Sequence, residues 1–177
     1  MIPKLDLWEL QNGLPAITPA FGAALAEACA VCLNDQNHQP GVELQVTGKL
    51  TATLELYWQN VTPQMQRCWN DQEYTTEQAA YGIALLLLTK LTDFTVVERS
   101  RKGTGFDYWL GKPTDSLEMP FQKSVRLEIY GIRQGSPSQI RTRVKLKKVQ
   151  VAPTDKIAPA FIVVLEFSQP LAHIATL

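Results

Sequence analysis

The sequence predicts an α/β fold, a mixed β-sheet flanked by helices, on three observations. From Thr75 onward the apolar periodicity runs helix, strand, strand, strand, helix, strand. Ahead of that stretch lie an Ala- and Leu-rich helical segment over 19–34 and an alternating hairpin over 42–58. With 177 residues, 45% of them hydrophobic and 19% charged, the chain has the size of one domain and enough apolar material for a core. The expected organisation is a single domain: an N-terminal helix and hairpin extension over 1–74, a core over 75–167 and a tail over 168–177.

Taken in order, residues 1–18 read as an irregular arm. They carry acids at Asp6 and Glu9 and no long apolar run, so no secretory signal is expected. The helix over 19–34 holds Cys29 and Cys32 as a Cys-x-x-Cys pair. No second Cys or His pair stands at zinc spacing, so the two read as packing residues rather than ligands. Three cysteines in total argue against a disulfide framework and for a reducing, cytoplasmic setting. His38 follows in a polar loop and reads as exposed. In the hairpin, Leu44, Val46, Leu54 and Leu56 mark one buried face on either side of a turn at Gly48 and Lys49. A short helix near 63–69 leads on to the core.

Thr75 and Gln78 have capping-box spacing, which places the start of the next helix there. That helix is apolar around most of its circumference and should be buried. Strands over 94–98 and 106–110 flank a basic turn containing Arg99, Arg101, Lys102, Gly103 and Gly105. A loop over 112–123 precedes a third strand over 125–130. Ser136, Pro137 and Gln139 then form a strong helix start, which favours a helix to Gln150 over the strand that its alternating basic residues also suggest. The run over 161–167, apolar apart from Glu166 and Ser168 beyond it, reads as a buried strand. The longest apolar run, Ile83 to Leu88, is too short to cross a bilayer, so no membrane partner is expected.

Formal net charge is zero, but it is unevenly spread. Arg99 to Lys148 holds 12 Lys and Arg against 4 Asp and Glu, and the remainder holds 5 against 13. A basic face built from that region would suit phosphate backbones.

Three acids stand at telling places: Glu77 early in the buried helix, Asp107 in the second core strand and Glu128 in the third. Asp is depleted in strands, so Asp107 is the least ordinary of them. Strand alternation puts Arg126, Glu128 and Tyr130 on one face and Val125, Leu127 and Ile129 on the other. Glu98, just before the basic turn, is a fourth acid in reach. Structural readings stand beside these: helix-dipole stabilisation for Glu77, a surface pair with Arg126 for Glu128, and a solvated turn for Arg99 to Lys102. The turn lacks P-loop spacing, and with His38 and His173 as the only histidines no Ser-His hydrolase is indicated.

The αβββαβ order over 75–167, with Asp in the second strand and Glu in the third, resembles the PD-(D/E)XK nuclease superfamily. The resemblance implies a restriction-endonuclease-like core and a magnesium or manganese site. Asp107 and Glu128 would be its ligands, Glu77 would assist, and Tyr130 would stand where the family has lysine. Two consequences of that departure remain open. Arg126, or Lys145 or Lys148 from the following helix, supplies the missing cation; or the scaffold is catalytically silent and serves as an interaction module, for instance in a homodimer. In the first case Arg99, Arg101, Lys102, Arg126, Arg141, Lys145 and Lys148 are expected to hold nucleic acid.

Overall fold

The structure, a computed structural model, describes residues 1–113 and 122–177. Among them a mixed eight-stranded sheet runs through the molecule in the order β1-β3-β2-β8-β7-β6-β5-β4. The coarse α/β expectation therefore holds. Most of the loop expected over 112–123 lies outside the described residues.

The N-terminal part departs from an irregular arm. Lys4–Asp6 forms β1, parallel to β3 (Ala52–Tyr57), and Leu7–Asn12 forms a 3-10 helix. Leu5, Leu7, Leu10 and Ile17 are buried, and their burial is what fixes the arm. Helix α1 (Pro19–Asp35) is capped by Thr18, whose hydroxyl accepts from the Phe21 N–H. Strands β2 (Val42–Gly48) and β3 form the expected hairpin, with Leu44, Val46, Leu54 and Leu56 turned inward. Cys29 and Cys32 are fully buried between helices. The Cys29 thiol donates to the Ala79 carbonyl at 3.3 Å, and burial pushes the Cys32 thiol up to about 12, so neither offers a thiolate. His38 is half-buried rather than exposed, its Nε2 lying 2.8 Å from the Phe167 carbonyl.

A short helix, α2 (Pro63–Cys68), precedes α3 (Gln72–Leu91). Helix α3 begins earlier than the Thr75 box implies. Asp71 is its cap, accepting from the Tyr74 N–H at 3.0 Å. Thr75 and Thr76 instead donate their hydroxyls back to the Asp71 and Gln72 carbonyls. Glu77 consequently sits in the second turn, not the first. The helices α1 and α3 cover one face of the sheet and share its main core with Leu127, Ile129, Val163, Leu165 and Ile174.

Strands β4 (Thr95–Arg99), β5 (Tyr108–Gly111) and β6 (Val125–Ile132) form an antiparallel meander. A parallel return needs a long crossover. It is supplied by α4 (Pro137–Val151), which leads to β7 (Ala160–Glu166) beside β6. The Ser136–Gln139 capping box is formed in both directions, which explains why helix wins over strand here. Ile140, Val144 and Val151 of α4 pack on Ile162 and Val164, on the face opposite α3. With both faces of β7 covered, its continuous apolar run is accounted for.

The expected tail over 168–177 is instead β8 (Leu171–Thr176), placed inside the sheet between β7 and β2. Buried Glu166 makes the tight return possible. Its carboxylate accepts from the Ser168 and Gln169 N–H groups at 2.9 and 2.7 Å and from Gly135 at 3.1 Å.

Candidate functional site

The site lies where the meander splits. Pairing between β5 and β6 extends from Leu110↔Val125 to Tyr108↔Leu127, while β6 continues along β7 to Ile132. Beyond Leu127 the β5 side of β6 is open. Asp107 stands at this fork, just before β5 rather than within it. Its own N–H still donates to Leu127 at 2.8 Å. Its Oδ2 accepts from the Ile129 N–H at 2.8 Å, satisfying a donor that no strand reaches. Helix α3 leans over the opening. At Gly131 a Cβ would fall 2.7 Å from the Thr76 carbonyl, so glycine permits that approach.

Within α3 every residue from Thr75 to Leu88 is buried except Glu77. One turn further, at i+4, Tyr81 shares its side of the helix. The Tyr81 hydroxyl lies 3.1 Å from both Glu77 Oε1 and Asp107 Oδ1 and so links the helix acid to the strand acid. Glu128, only 2% exposed, faces the same space. Its Oε1 accepts from Lys147 Nζ at 2.5 Å and from Gln150 Nε2 at 3.0 Å. Gln150 also accepts from Lys147 at 2.9 Å and donates to the Gly105 carbonyl at 3.1 Å. The last turns of α4 are thereby tied to the glycine turn that delivers Asp107.

Electrostatically the two strand acids compete. Burial, then the neighbouring Asp107 charge, pushes the Glu128 carboxyl up to about 7, against the pull of Lys147. Burial likewise raises Asp107, opposed by the Ile129 N–H, the Tyr81 hydroxyl and the Lys147 charge. The Asp107 charge acts directly on Glu128, so the two carboxyls titrate as a pair. Such a pair is also a hard-oxygen donor set, of the kind a magnesium ion takes while keeping several waters. Among the described residues no group of three or more His, Cys, Asp or Glu gathers as metal ligands. Glu77 reaches Asp107 through Tyr81. The residues therefore fit a cation held by two carboxylates and water, with Glu77 in the surrounding layer.

The acids stand where two clefts meet. One, of about 620 Å³, passes Tyr130, Thr76 and Arg133. The other, of about 510 Å³, passes Arg99, Arg101 and Lys102. Glu77, Asp107, Glu128 and Gln150 line both. Arg99 lies over the Tyr81 and Tyr108 rings at 5.8 and 5.6 Å. The Arg143 guanidinium lies 4.1 Å from the Tyr130 ring centre and Lys147 Nζ lies 5.2 Å from it.

Not every expected residue is here. Arg126 is fully buried: its guanidinium donates to the Ala158 and Val151 carbonyls, both at 2.7 Å, and to the Thr154 hydroxyl, and pairs with Asp155 at 2.9 Å. It braces the end of α4 and cannot meet solvent or nucleic acid. It shares a sheet face with Glu128 as expected, but that face is covered by α4 at its position. Arg141, Lys145 and Lys148 fall on the flank of α4 opposite Arg143, Lys147 and Gln150, by the 3.6-residue period. Lys148 accordingly acts on His173 of β8, whose pKa is lowered by burial and by that charge. Glu98 pairs with Lys123 at 2.7 Å on the exposed edge and takes no part. Conversely, Tyr81, Lys147 and Gln150 were not singled out by the sequence. The available signals were the i, i+4 spacing of Tyr81 from Glu77 and the i, i+3 spacing of Lys147 and Gln150.

Searches for similar proteins add no family: no protein-family model, curated protein or solved structure matches this chain.

Proposed function

We propose that this protein is a metal-dependent nuclease of the PD-(D/E)XK kind whose lysine has moved from the strand to helix α4. The observation that carries the reading is Lys147 Nζ, 2.5 Å from Glu128 on the fork where Asp107 and Glu77 also arrive. It supplies the cation that Tyr130 does not. The meander β4-β5-β6, followed by α4 and a parallel β7, supports the same reading through its order and pairing.

Asp107 and Glu128 would hold a magnesium or manganese ion, which when bound would lend Lewis acidity to a phosphodiester. The chain's own residues do the rest. Tyr81 and the Ile129 N–H fix the two oxygens of Asp107. Gln150 holds Lys147 against Glu128, so that its ammonium stands beside the reacting phosphate and orients the attacking water. That water provides the oxygen of the new bond to phosphorus and the proton that the departing oxygen takes up. Arg99, Arg101 and Lys102 hold neighbouring phosphates.

A second reading is an interaction module without catalysis. It is favoured by the internal partners that Asp107 and Glu128 already have, the Ile129 N–H and Lys147. Calorimetric titration of magnesium or manganese, with a DNA cleavage assay beside it, separates the two. The nuclease reading expects binding and cleavage by the wild-type chain and loss of both in Asp107→Asn at an unchanged melting temperature. Absence of both in the wild type leaves the interaction module.

A further inference from the structure

Arg143 is a half-buried cation without an anion. Among the described residues three arginines are not exposed, Arg126, Arg133 and Arg143. Arg126 is met by Asp155 at 2.9 Å and Arg133 by Asp35 at 2.6 Å. Arg143 makes no hydrogen bond or ion pair among the described residues, and what it has is the Tyr130 ring, with 4.1 Å from guanidinium to ring centre. The ring balances part of the charge but takes none of the N–H donors in a hydrogen bond, so the guanidinium fork stays free for a bidentate acceptor. Lys147 lies over the same ring at 5.2 Å but is committed to Glu128 and Gln150. Beside Arg143 is a third cleft, of about 370 Å³, to which Arg133, Ser138, Gln139 and Thr142 also contribute and which no acid lines. Tyr130, Gly131 and Arg133 line both this cleft and the one at the acids, so the two are continuous.

We infer that Arg143 is a phosphate-binding residue on the α4 side of the acids and that Tyr130 is the platform that positions it. The inference rests on the nuclease reading for the identity of the anion, a phosphodiester chain. That chain runs from the basic turn of Arg99, Arg101 and Lys102, over the acids, and into the third cleft, so phosphates are held on both sides of the scissile one. Tyr130, standing where the resemblance expects a lysine, is then neither a metal ligand nor a source of charge. It is a positioning residue that acts through Arg143.

The test is binding of a single-stranded DNA oligonucleotide to the full chain over a series of salt concentrations, without magnesium so that no cleavage is needed, and with melting curves to show each variant folded. Arg143→Gln should flatten the logarithmic salt slope by about 0.7, one phosphate contact, while Arg143→Lys keeps it, because the slope counts charge. Arg141→Gln removes the same charge from the other flank of α4 and should leave the slope as it is. Tyr130→Ala should weaken binding by the wild type but not by Arg143→Gln, because without Arg143 the platform holds nothing. Inorganic phosphate should displace the oligonucleotide no better than chloride at equal ionic strength. An unchanged slope in Arg143→Gln, equal flattening by Arg141→Gln, or equal weakening by Tyr130→Ala in both backgrounds would overturn the inference, as would a wild type that binds no DNA. Displacement specific to phosphate and lost in Arg143→Gln would overturn it in favour of a small phosphorylated ligand. The expected slopes with no cutting once magnesium is added would remove the nuclease reading and leave the phosphate contact standing. An unchanged slope in Arg143→Gln beside magnesium-dependent cutting would do the reverse.

Discussion

Glu128 carries the most informative charge in the molecule. Its carboxyl titrates near 7, against an ordinary value of 4.5, because it is buried and stands beside Asp107. The folded state therefore binds a proton more tightly than the unfolded state between those two values. Stability from this group is fully present below about 4.5 and is lost as pH rises through about 7. Thermal melts of the wild type and Glu128→Gln across that range should show it: the wild type loses ground relative to the variant up to pH 7 and holds a constant difference above. A difference that grows in favour of the wild type would contradict the assigned burial. The three acids were legible in the sequence because Asp is unusual near a strand and alternation places Glu128 on a defined face. Tyr81, Lys147 and Gln150 were not. Their roles depend on how α3 and α4 approach the fork from opposite faces of the sheet, which no local pattern encodes.

Among the elements, α4 links stability to the site. Its C-terminal end is held by Arg126, and its last turns present Lys147 and Gln150 to Glu128. Arg126→Ala removes a buried guanidinium with five donors and leaves carbonyls at Val151 and Ala158 short of partners. A loss of about 2–4 kcal/mol in unfolding free energy is expected, measurable by urea denaturation. Asp155 is partly exposed, which places the figure below that of a fully buried pair. A neutral Arg126→Ala would mean that the end of α4 is held by packing alone. The helix itself was legible from Ser136, Pro137 and Gln139, because a capping box is a local signal. Strand β8 was not. Its place between β7 and β2 is set by the Glu166-capped return and by pairing partners more than a hundred residues away in sequence on the β2 side. The start of α3 was misread for a local reason, since Asp71 and Thr75 are both competent caps and the threonine hydroxyl turns back along the helix instead.

At the scale of the whole molecule, the +8 of residues 99–148 does not gather on one face. Arg99, Arg101 and Lys102 flank the acids, Lys147 reaches Glu128 from α4, Arg143 lies over the Tyr130 ring, Arg126 is internal, and Arg141, Lys145 and Lys148 fall on the other flank of α4. Affinity for a single strand should fall with salt, with a logarithmic slope of about −0.7 per phosphate neutralised. Replacing Arg101 and Lys102 by Ala should flatten that slope by roughly 1.4 in total, whereas replacing Lys145 and Lys148 should leave it unchanged. The opposite ranking in a salt titration would move the binding face to the other flank of α4. Among the described residues no helix is long and apolar enough to cross a membrane.

The lysine carried by α4 is the central claim, and single-turnover cleavage of single-stranded DNA with magnesium tests it most directly. Lys147→Met should melt below the wild type, because it leaves the buried Glu128 carboxylate without its cation. Compared at a temperature where both are folded, the variant should cut slower by about 10²-fold or more, the usual contribution of a positioned proton-transfer or water-orienting group. Folded Lys147→Met cutting at the wild-type rate would contradict the account.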